Sequence, residues 1–301
     1  MKIIIAGGSG FIGKKLTEYL IERGHEVVVL TRGEGRASKN ITYVQWLTSG
    51  ATPEKELGRV DVFINLAGVS INQGRWKVKH QREIYTSRMG ATGELLRIMQ
   101  ALPNKPKTFI NASAIGIFPT SLEATYTEDS MERADDFLGK TVSDWERKAE
   151  TADNFGVRTV FMRFGMVLGA TDGALPLMVL PYKLFVGGTV GNGKQWVSWV
   201  HICDVIRAID FAIENKTIRG PVHVTAPTPI RMKEFGKTIG KVLKRPHWFP
   251  TPAFLLKIVL GKKSQLVVFG QRVLPTVLQK HGFQFKYPKL ETALTDLLRR
   301  E

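Results

Sequence analysis

Three glycines near the amino terminus have the spacing of a phosphate-binding turn. The segment 7–13, Gly-Gly-Ser-Gly-Phe-Ile-Gly, follows a short apolar run at 2–6 and leads into an amphipathic stretch at 11–22. Between a strand and a helix, the first glycine permits a tight turn, the second lets a pyrophosphate approach the backbone, and the third lets the helix pack closely. Amide groups at the helix N-terminus then meet the phosphate charge. We therefore predict a dinucleotide site that contains Gly7, Ser9, Gly10, Phe11, Ile12 and Gly13.

The end of the second predicted strand indicates which dinucleotide binds. A fold that prefers NAD places a carboxylate there for the ribose 2′-hydroxyl, whereas this chain has Thr31 and Arg32. The planar guanidinium of Arg32 suits a 2′-phosphate. We expect NADP(H) rather than NAD, with Arg36 or Lys39 as helpers; the alternative is that Arg32 is an ordinary surface residue.

Strand-length apolar runs alternate with stretches of helical periodicity, which predicts an α/β fold with a parallel sheet covered by helices. The predicted strands are 2–6, 26–30, 41–46, 61–66, 108–112, 158–163 and 222–225, and the predicted helices are 11–22, 82–102, 136–155 and 204–214. Residues 165–193 are irregular and rich in Gly and Pro, as expected beside a cleft. We predict a Rossmann-like, doubly wound domain at 1–230 and a small, mainly helical, basic domain at 231–301.

The composition is that of an ordinary globular protein, with 301 residues, 43% of them apolar and 23% charged. A single cysteine, Cys203, excludes an internal disulfide framework and suits a reducing compartment. The N-terminal apolar run is too short for a signal peptide, and the stretches 174–186 and 252–260 are too short to cross a bilayer. A cytoplasmic location is expected.

The net charge of +16 is concentrated near the end of the chain, where residues 231–301 contain 15 basic and 4 acidic side chains. A basic face can attract nucleic acid or an anionic membrane, although it is more often simply solvated. The segment 254–263 could lie on a membrane surface, but packing against the main domain is favoured. Nucleic acid is disfavoured because the sequence has no recognised binding motif.

Three further segments, in the expected order, give the chain a resemblance to the extended short-chain dehydrogenase/reductase superfamily, in its nucleotide-sugar epimerase-like branch. They are Asn65-Leu66-Ala67-Gly68, the segment 108–113, and Trp-Val-His-Ile-Cys-Asp-Val at 199–205. The tail from residue 229, with Arg75-Trp76 and Ser87-Arg88, resembles an atypical epimerase subfamily with a small C-terminal domain and no well-established reaction.

The resemblance implies roles for several residues. It implies that Leu66, Ala67 and Gly68 lie along the adenosine half of the cofactor and that Ser113 is the catalytic serine. The loop 191–195 would lie beside the substrate. Arg88 stands where most relatives have asparagine, and we interpret it as an anion contact near the cofactor.

One departure from the family concerns the chemistry itself. Family members carry a Tyr and a Lys four residues apart on one helix face, and the Lys lowers the phenol pKa so that Tyr exchanges a proton with substrate. If the helix is anchored on Glu146, Leu138 and Val142 occupy those positions; if it is anchored on Lys140, Asp136 is the partner. The usual acid/base pair is absent.

Substitutes for that pair are few. Tyr126 precedes an acidic loop, Lys140 is expected to be a solvated residue, and His201 has a suitable intrinsic pKa but is more simply a hydrogen-bonded structural histidine. The histidines are scattered along the sequence, so no metal site is expected.

The leading hypothesis is an NADP(H)-binding oxidoreductase or epimerase-like protein acting on a small molecule, such as a nucleotide sugar or a carbonyl compound. The rival hypothesis is a non-catalytic sensor or regulatory module that responds to NADP(H).

Overall fold

The computed structural model describes residues 1–38, 41–72, 76–249, 261–264 and 268–299. The strands are β1 (Lys2–Ala6), β2 (Glu26–Thr31), β3 (Arg36–Ser38), β4 (Ile41–Gln45), β5 (Val62–Asn65), β6 (Thr108–Ala114), β7 (Thr125–Tyr126), β8 (Arg158–Phe164), β9 (Met166–Leu168), β10 (Trp196–Val197), β11 (Trp199–His201), β12 (Gly220–Val224), β13 (Ile230–Arg231) and β14 (Arg272–Val273). The helices are α1 (Phe11–Glu22), α2 (Glu54–Leu57), α3 (Val78–Ala101), α4 (Phe137–Glu150), α5 (Leu175–Lys183), α6 (Ile202–Glu214), α7 (Met232–Leu243), α8 (Thr276–Lys280) and α9 (Leu290–Leu298).

Eight strands form one sheet in the order β12-β8-β6-β5-β1-β2-β4-β3. Its pairs are parallel except at one edge, where β3 runs antiparallel to β4. The strand order reverses direction beside β1, as in a doubly wound sheet. The predicted α/β, Rossmann-like fold class is confirmed, with β3 as an antiparallel addition.

Helices cover both faces of the sheet. On one face, Leu16 and Leu20 of α1 join Ile209 of α6 in the core over Ile3 and Ile5. On the other face, α3 and α4 pack over Ile4 and Val28 through Leu95, Ile98 and Ala149. The alternating strand residues therefore divide between two apolar layers, which explains the continuous apolar runs of the sequence.

The carboxyl ends of the parallel strands meet at one edge of the sheet, which is where ligands bind in open α/β folds. The register aligns Ala6 with Leu30 and with Asn65, and Ser113 with Arg163. The predicted site segments therefore lie along a single edge.

The C-terminal part packs against this framework. Leu290 and Leu294 of α9 share an apolar cluster with Phe235 and Ile239 of α7, and β14 pairs with β7. The described elements after residue 231 are mainly helical. The domain boundary at 230 stays a prediction, and the segment 254–260 lies outside the described residues. Within the described ranges, no helix combines the length and apolarity needed to cross a bilayer.

Candidate functional site

The glycine turn, residues 7–13, adopts a conformation that requires glycine at both ends. Gly7 has a left-handed backbone with φ 83°, and a Cβ there would lie 2.6 Å from the carbonyl of Leu66. A Cβ on Gly13 would lie 2.2 Å from the carbonyl oxygen of Gly7. Strand and helix can therefore approach this closely only when these two side chains are absent.

The middle of the turn is open. Gly10 precedes α1, donates its amide to the Gly7 carbonyl at 3.0 Å, and offers no side chain to cap the helix. Ser9 and Gly10 are exposed, and the first turn of α1 contains no acidic residue. These features leave the helix N-terminus suited to an anion.

Phe11 connects the turn to the loop before α5. A Cβ on Gly169 would lie 2.4 Å from its ring, and one on Gly173 would lie 3.4 Å from it. Ile12 packs against the apolar layer beneath α1. These two residues therefore shape the turn through apolar packing.

Thr31 and Arg32 lie at the end of β2, beside the glycine turn. The Thr31 hydroxyl accepts a hydrogen bond from the Gly33 amide at 3.1 Å, and Arg32 is exposed. Arg36 stacks over the Tyr43 ring at 5.0 Å. Lys39, the other predicted helper, lies outside the described residues, as does Arg75.

Arg88 lies directly against Gly68. A Cβ on Gly68 would be 3.2 Å from the Arg88 guanidinium, whose Nη1 donates to the carbonyls of Val69 and Ile84 at 3.1 and 3.0 Å. Burial lowers the pKa of Arg88 to about 10. None of the described carboxylates forms an ion pair with Arg88. Its partners are the two carbonyls and the Trp145 ring, whose centre lies 5.1 Å away, so a half-buried positive charge without an anionic partner lies beside the 66–68 loop.

A buried amide pair positions that loop. Asn65 donates from Nδ2 to Asn111 Oδ1 at 2.7 Å and to Thr92 Oγ1 at 3.0 Å, and accepts from the Ala67 amide at 3.2 Å. Trp145 of α4 donates to the same Thr92 hydroxyl. Sequence reasoning missed this network, although asparagines at the ends of two apolar runs were a usable signal.

Ser113 is buried at the end of β6. Its hydroxyl donates to Glu146 Oε1 at 2.5 Å, and Arg163 donates to both oxygens of Glu146 at 2.8 and 2.7 Å. Arg163 is 2% exposed. The proton of Ser113 is therefore directed at a carboxylate that already has a cationic partner.

Ser113, Arg163 and His223 occupy one register across β6, β8 and β12; we call these three residues the buried row. His223 Nδ1 donates to the Leu274 carbonyl at 3.0 Å. Glu128 accepts from the His223 amide at 2.9 Å and from the Thr276 hydroxyl. Sequence reasoning did not identify Arg163, His223 or Glu128; a charged residue inside an apolar run, as in residues 158–164, was the available signal.

In the register anchored on Glu146, the positions that correspond to the family's Tyr and Lys are apolar, Leu138 and Val142. Val142 lies in a cluster with Phe118 and Tyr126, whose rings stack at 4.7 Å. Burial raises the pKa of the Tyr126 hydroxyl, which makes it a poorer proton donor. Lys140 is exposed, as expected of a solvated residue.

His201 has a structural role at the start of α6. Its Nδ1 accepts from the Cys203 amide at 3.1 Å, its Nε2 faces Asp296 at 3.3 Å, and its ring lies 3.9 Å from that of Tyr287. These contacts fit the structural interpretation favoured from the sequence.

His25, which directly precedes β2, lies close to Asp210 and Glu214 of α6, at the opposite edge of the sheet. Ligand atoms of His25, Asp210 and Glu214 lie within 4.8 Å of one another. Asp210 already pairs with Arg23 at 3.3 Å and accepts from the Tyr19 hydroxyl. The Arg23 charge disfavours a further cation, so we assign no metal here.

Comparison with known proteins gives consistent matches. Residues 3–224 match the NAD dependent epimerase/dehydratase family, and residues 251–297 match a domain of unknown function, DUF1731. Epimerase family protein YfhF of Bacillus subtilis is 51% identical over 99% of this chain and 98% of its own length.

Two solved structures share the fold. The human epimerase family protein SDR39U1, crystallised with NADPH, has a TM-score of 0.90 and 32% identity, and all of each chain is covered. UDP-glucuronic acid 4-epimerase from Bacillus cereus, in complex with UDP-glucuronic acid and NAD, has a TM-score of 0.77 and 17% identity over 99% of each chain.

Proposed function

Because the chain belongs to the NAD dependent epimerase/dehydratase family, we propose that it binds NADP(H) at the glycine turn and exchanges hydride with a small-molecule substrate. The observation that carries the proposal is the turn itself. Its ends exclude any side chain, and its middle opens onto the uncapped N-terminus of α1. NADPH in the human relative supports the same assignment.

The residues around the turn fit a phosphorylated dinucleotide. Gly7, Ser9, Gly10, Phe11, Ile12 and Gly13 would hold the diphosphate, Thr31 and Arg32 the 2′-phosphate, and Leu66, Ala67 and Gly68 the adenosine half. Arg88, which lies against Gly68, would supply a positive charge to the cofactor. When bound, the nicotinamide would supply hydride chemistry; the protein residues bind and orient it.

The preference for NADP(H) is tested by calorimetric titration with NADPH and NADH. We expect NADPH to bind at least about tenfold more tightly, a difference of about 1.4 kcal/mol. Arg32→Glu should remove that preference, and Arg59→Glu, an exposed change at the opposite edge, should leave it. Equal affinities for the two cofactors, or an Arg32→Glu variant with intact preference, would reject the assignment.

The substrate side of the proposal rests on Ser113, which would orient a substrate oxygen. Its hydroxyl proton points to Glu146, so its lone pairs would accept from a substrate hydroxyl. A substrate carbonyl would be bound only after that proton rotates away from Glu146. A carbonyl compound or a nucleotide sugar is the proposed substrate class. Turnover of NADPH with a carbonyl panel, abolished in Ser113→Ala, would support the enzyme.

A second candidate function is a sensor that responds to NADP(H) without turnover. The observation favouring it is the apolar face of α4, where Val142 packs on Tyr126 and Phe118. Tight NADPH binding with no oxidation across carbonyl and nucleotide-sugar panels would favour the sensor.

A further inference from the structure

Two segments of the chain expose large apolar side chains next to each other. One is α5 with the turn that follows it, and the other is 244–249, which follows α7. Large apolar side chains exposed by 47–70% are Leu177, Leu180, Leu184, Phe185, Val186, Trp248 and Phe249. In α5 the exposed leucines are spaced along one face while Leu175, Val179 and Tyr182 are buried on the other. A helix that is apolar all round is normally covered on every side.

Specific contacts hold the two segments together. The Trp248 indole donates to the Phe185 carbonyl at 3.0 Å, and the amides of Trp248 and Phe249 both donate to the Gly187 carbonyl at 3.0 Å. His247 bonds Tyr182 at 2.8 Å and Thr189 at 3.0 Å. The aromatic side chains are therefore presented by a fixed backbone.

The charge on this surface has one sign. Lys183, Lys244 and Arg245 are exposed, and the Arg245 guanidinium lies 4.3 Å from the centre of the Phe185 ring. The sequence has no Asp or Glu in 173–203 or in 235–290. Among the described residues, none of these three cations takes part in an ion pair.

We propose that this hydrophobic-cationic patch, formed by residues 177–186 and 244–249, docks on an anionic phospholipid surface. Leu, Phe and Trp side chains enter the boundary between headgroups and acyl chains, and Lys and Arg at the rim attract anionic lipid. A tryptophan with exposed apolar area and a polar N–H is suited to that boundary.

The positive charge of the patch disfavours a second copy of this chain as its binding partner. A two-fold interface brings the same patch from both copies together. Lys183, Lys244 and Arg245 would then face the same cations, without carboxylates from either segment to compensate them. Like charges across an interface suppress association, whereas an anionic lipid surface complements all three.

The test is co-sedimentation of the full chain with vesicles of phosphatidylcholine alone and of phosphatidylcholine mixed with phosphatidylglycerol. Binding to the anionic vesicles should be at least about tenfold stronger, because three cations each contribute to attraction. It should weaken as salt rises. Trp248 is 70% exposed, Trp196 is partly exposed, and Trp46, Trp76, Trp145 and Trp199 are at most 5% exposed. A blue shift of the emission that is lost in Trp248→Phe should therefore report the insertion of Trp248.

Two variants separate the parts of the patch. The double change Phe185→Ser with Trp248→Ser removes apolar contact, and Lys183→Gln with Arg245→Gln removes charge while keeping polar side chains. Each should reduce binding by at least about tenfold. Matched controls are Met131→Ser and Lys55→Gln, exposed residues of the same kinds elsewhere, which should bind normally.

Four results would overturn the proposal. They are no binding to either vesicle, equal binding to both, binding that persists in both double variants, and a dimer in analytical ultracentrifugation that the Phe185→Ser, Trp248→Ser variant abolishes. Urea unfolding of each variant establishes that lost binding is not lost folding. The NADP(H) assignment does not enter this test, so the two proposals fail or survive separately.

Discussion

The glycine turn and the buried row lie along the same edge of the sheet. They differ in how far other groups of the protein already bind their polar groups. At the turn, the N-terminus of α1 has no side-chain cap, and in the 66–68 loop the guanidinium of Arg88 bonds two backbone carbonyls but none of the described carboxylates. In the row, Ser113 and Arg163 share one carboxylate, and His223 is bonded to the C-terminal segment. The first region leaves positive groups available to an anion from outside. The second pairs its charges internally, although Arg163 Nη1 and His223 Nε2 are buried without a hydrogen-bond partner among the described residues.

The largest expected effect on NADPH binding comes from adding a side chain at the end of the glycine turn. Gly13→Ala would place a Cβ 2.2 Å from the Gly7 carbonyl oxygen, so the helix must shift; we expect a loss of about 2 to 3 kcal/mol in the free energy of unfolding and no measurable NADPH binding. The matched variant, Gly10→Ala, meets that oxygen at 3.3 Å. It should lose about tenfold in affinity and less than about 1 kcal/mol in stability. Calorimetry and urea unfolding measure both, and equal effects of the two variants would contradict the distinction.

Glu146→Gln tests whether the ion pair in the buried row stabilises the fold without contributing to NADPH binding. It leaves the Arg163 charge buried without compensation, and we expect the free energy of unfolding to fall by about 3 kcal/mol or more. Glu54→Gln breaks an ion pair in which Arg97 is 45% exposed and should cost at most about 1 kcal/mol. NADPH affinity of the folded Glu146→Gln protein should change by less than about twofold. A large loss of NADPH affinity at intact stability would instead place Glu146 in the cofactor site.

Arg88→Met tests the contribution of the cation in the 66–68 loop to NADPH binding. The variant removes a half-buried cation that has no described carboxylate partner, but also its hydrogen bonds to the Val69 and Ile84 carbonyls. The two effects oppose each other, so the free energy of unfolding should change by less than about 1 kcal/mol. NADPH affinity should fall by about tenfold because an anion contact is lost. Arg59→Met, at an exposed position, is the control for both measurements. Unchanged affinity would remove Arg88 from the cofactor site.

The smallest effect is a pH dependence that originates in the buried row. Burial lowers the pKa of His223, although Glu128 lies 3.8 Å away and acts to raise it. The unfolded chain therefore takes up a proton first, so stability should fall as pH drops below about 6.5, by at most about 1.4 kcal/mol per pH unit for this group. His25 and His247 have pKa values lowered mainly by burial and add to the slope. Urea unfolding of wild type and His223→Gln between about pH 7 and pH 5 checks it, and a slope that is not shallower in the variant would exclude His223 as its source.

Much of the main sheet could be predicted because its signals are local. Strand 2–6 and helix 11–22 match β1 and α1, and the fold class and family resemblance are confirmed. The helix α5 was not predicted: its residues are apolar on both faces and include Pro176 and Pro181, so no periodicity marks it. The two-residue strands β7 and β14 form by pairing with each other, so neither segment carries a strand signal of its own.

The candidate site also contains features that a local pattern predicts and contacts that it does not. The need for glycine at 7 and 13 follows from a pattern within seven residues, whereas the partner of Ser113 lies 33 residues away and that of Arg88 is a backbone loop. Such contacts are fixed by tertiary packing and leave no local signal. The roles assigned to the individual site residues remain predictions.

The hydrogen bonds that join Leu274 to His223 and Thr276 to Glu128 also constrain the order in which the protein forms. A ribosome releases the amino-terminal sheet long before these residues emerge. Until they arrive, His223 and Glu128 lack acceptor and donor groups supplied by the last tenth of the chain. The nascent protein therefore carries an unfinished sheet edge through nearly all of its synthesis, and a chain that stops before residue 272 never completes it.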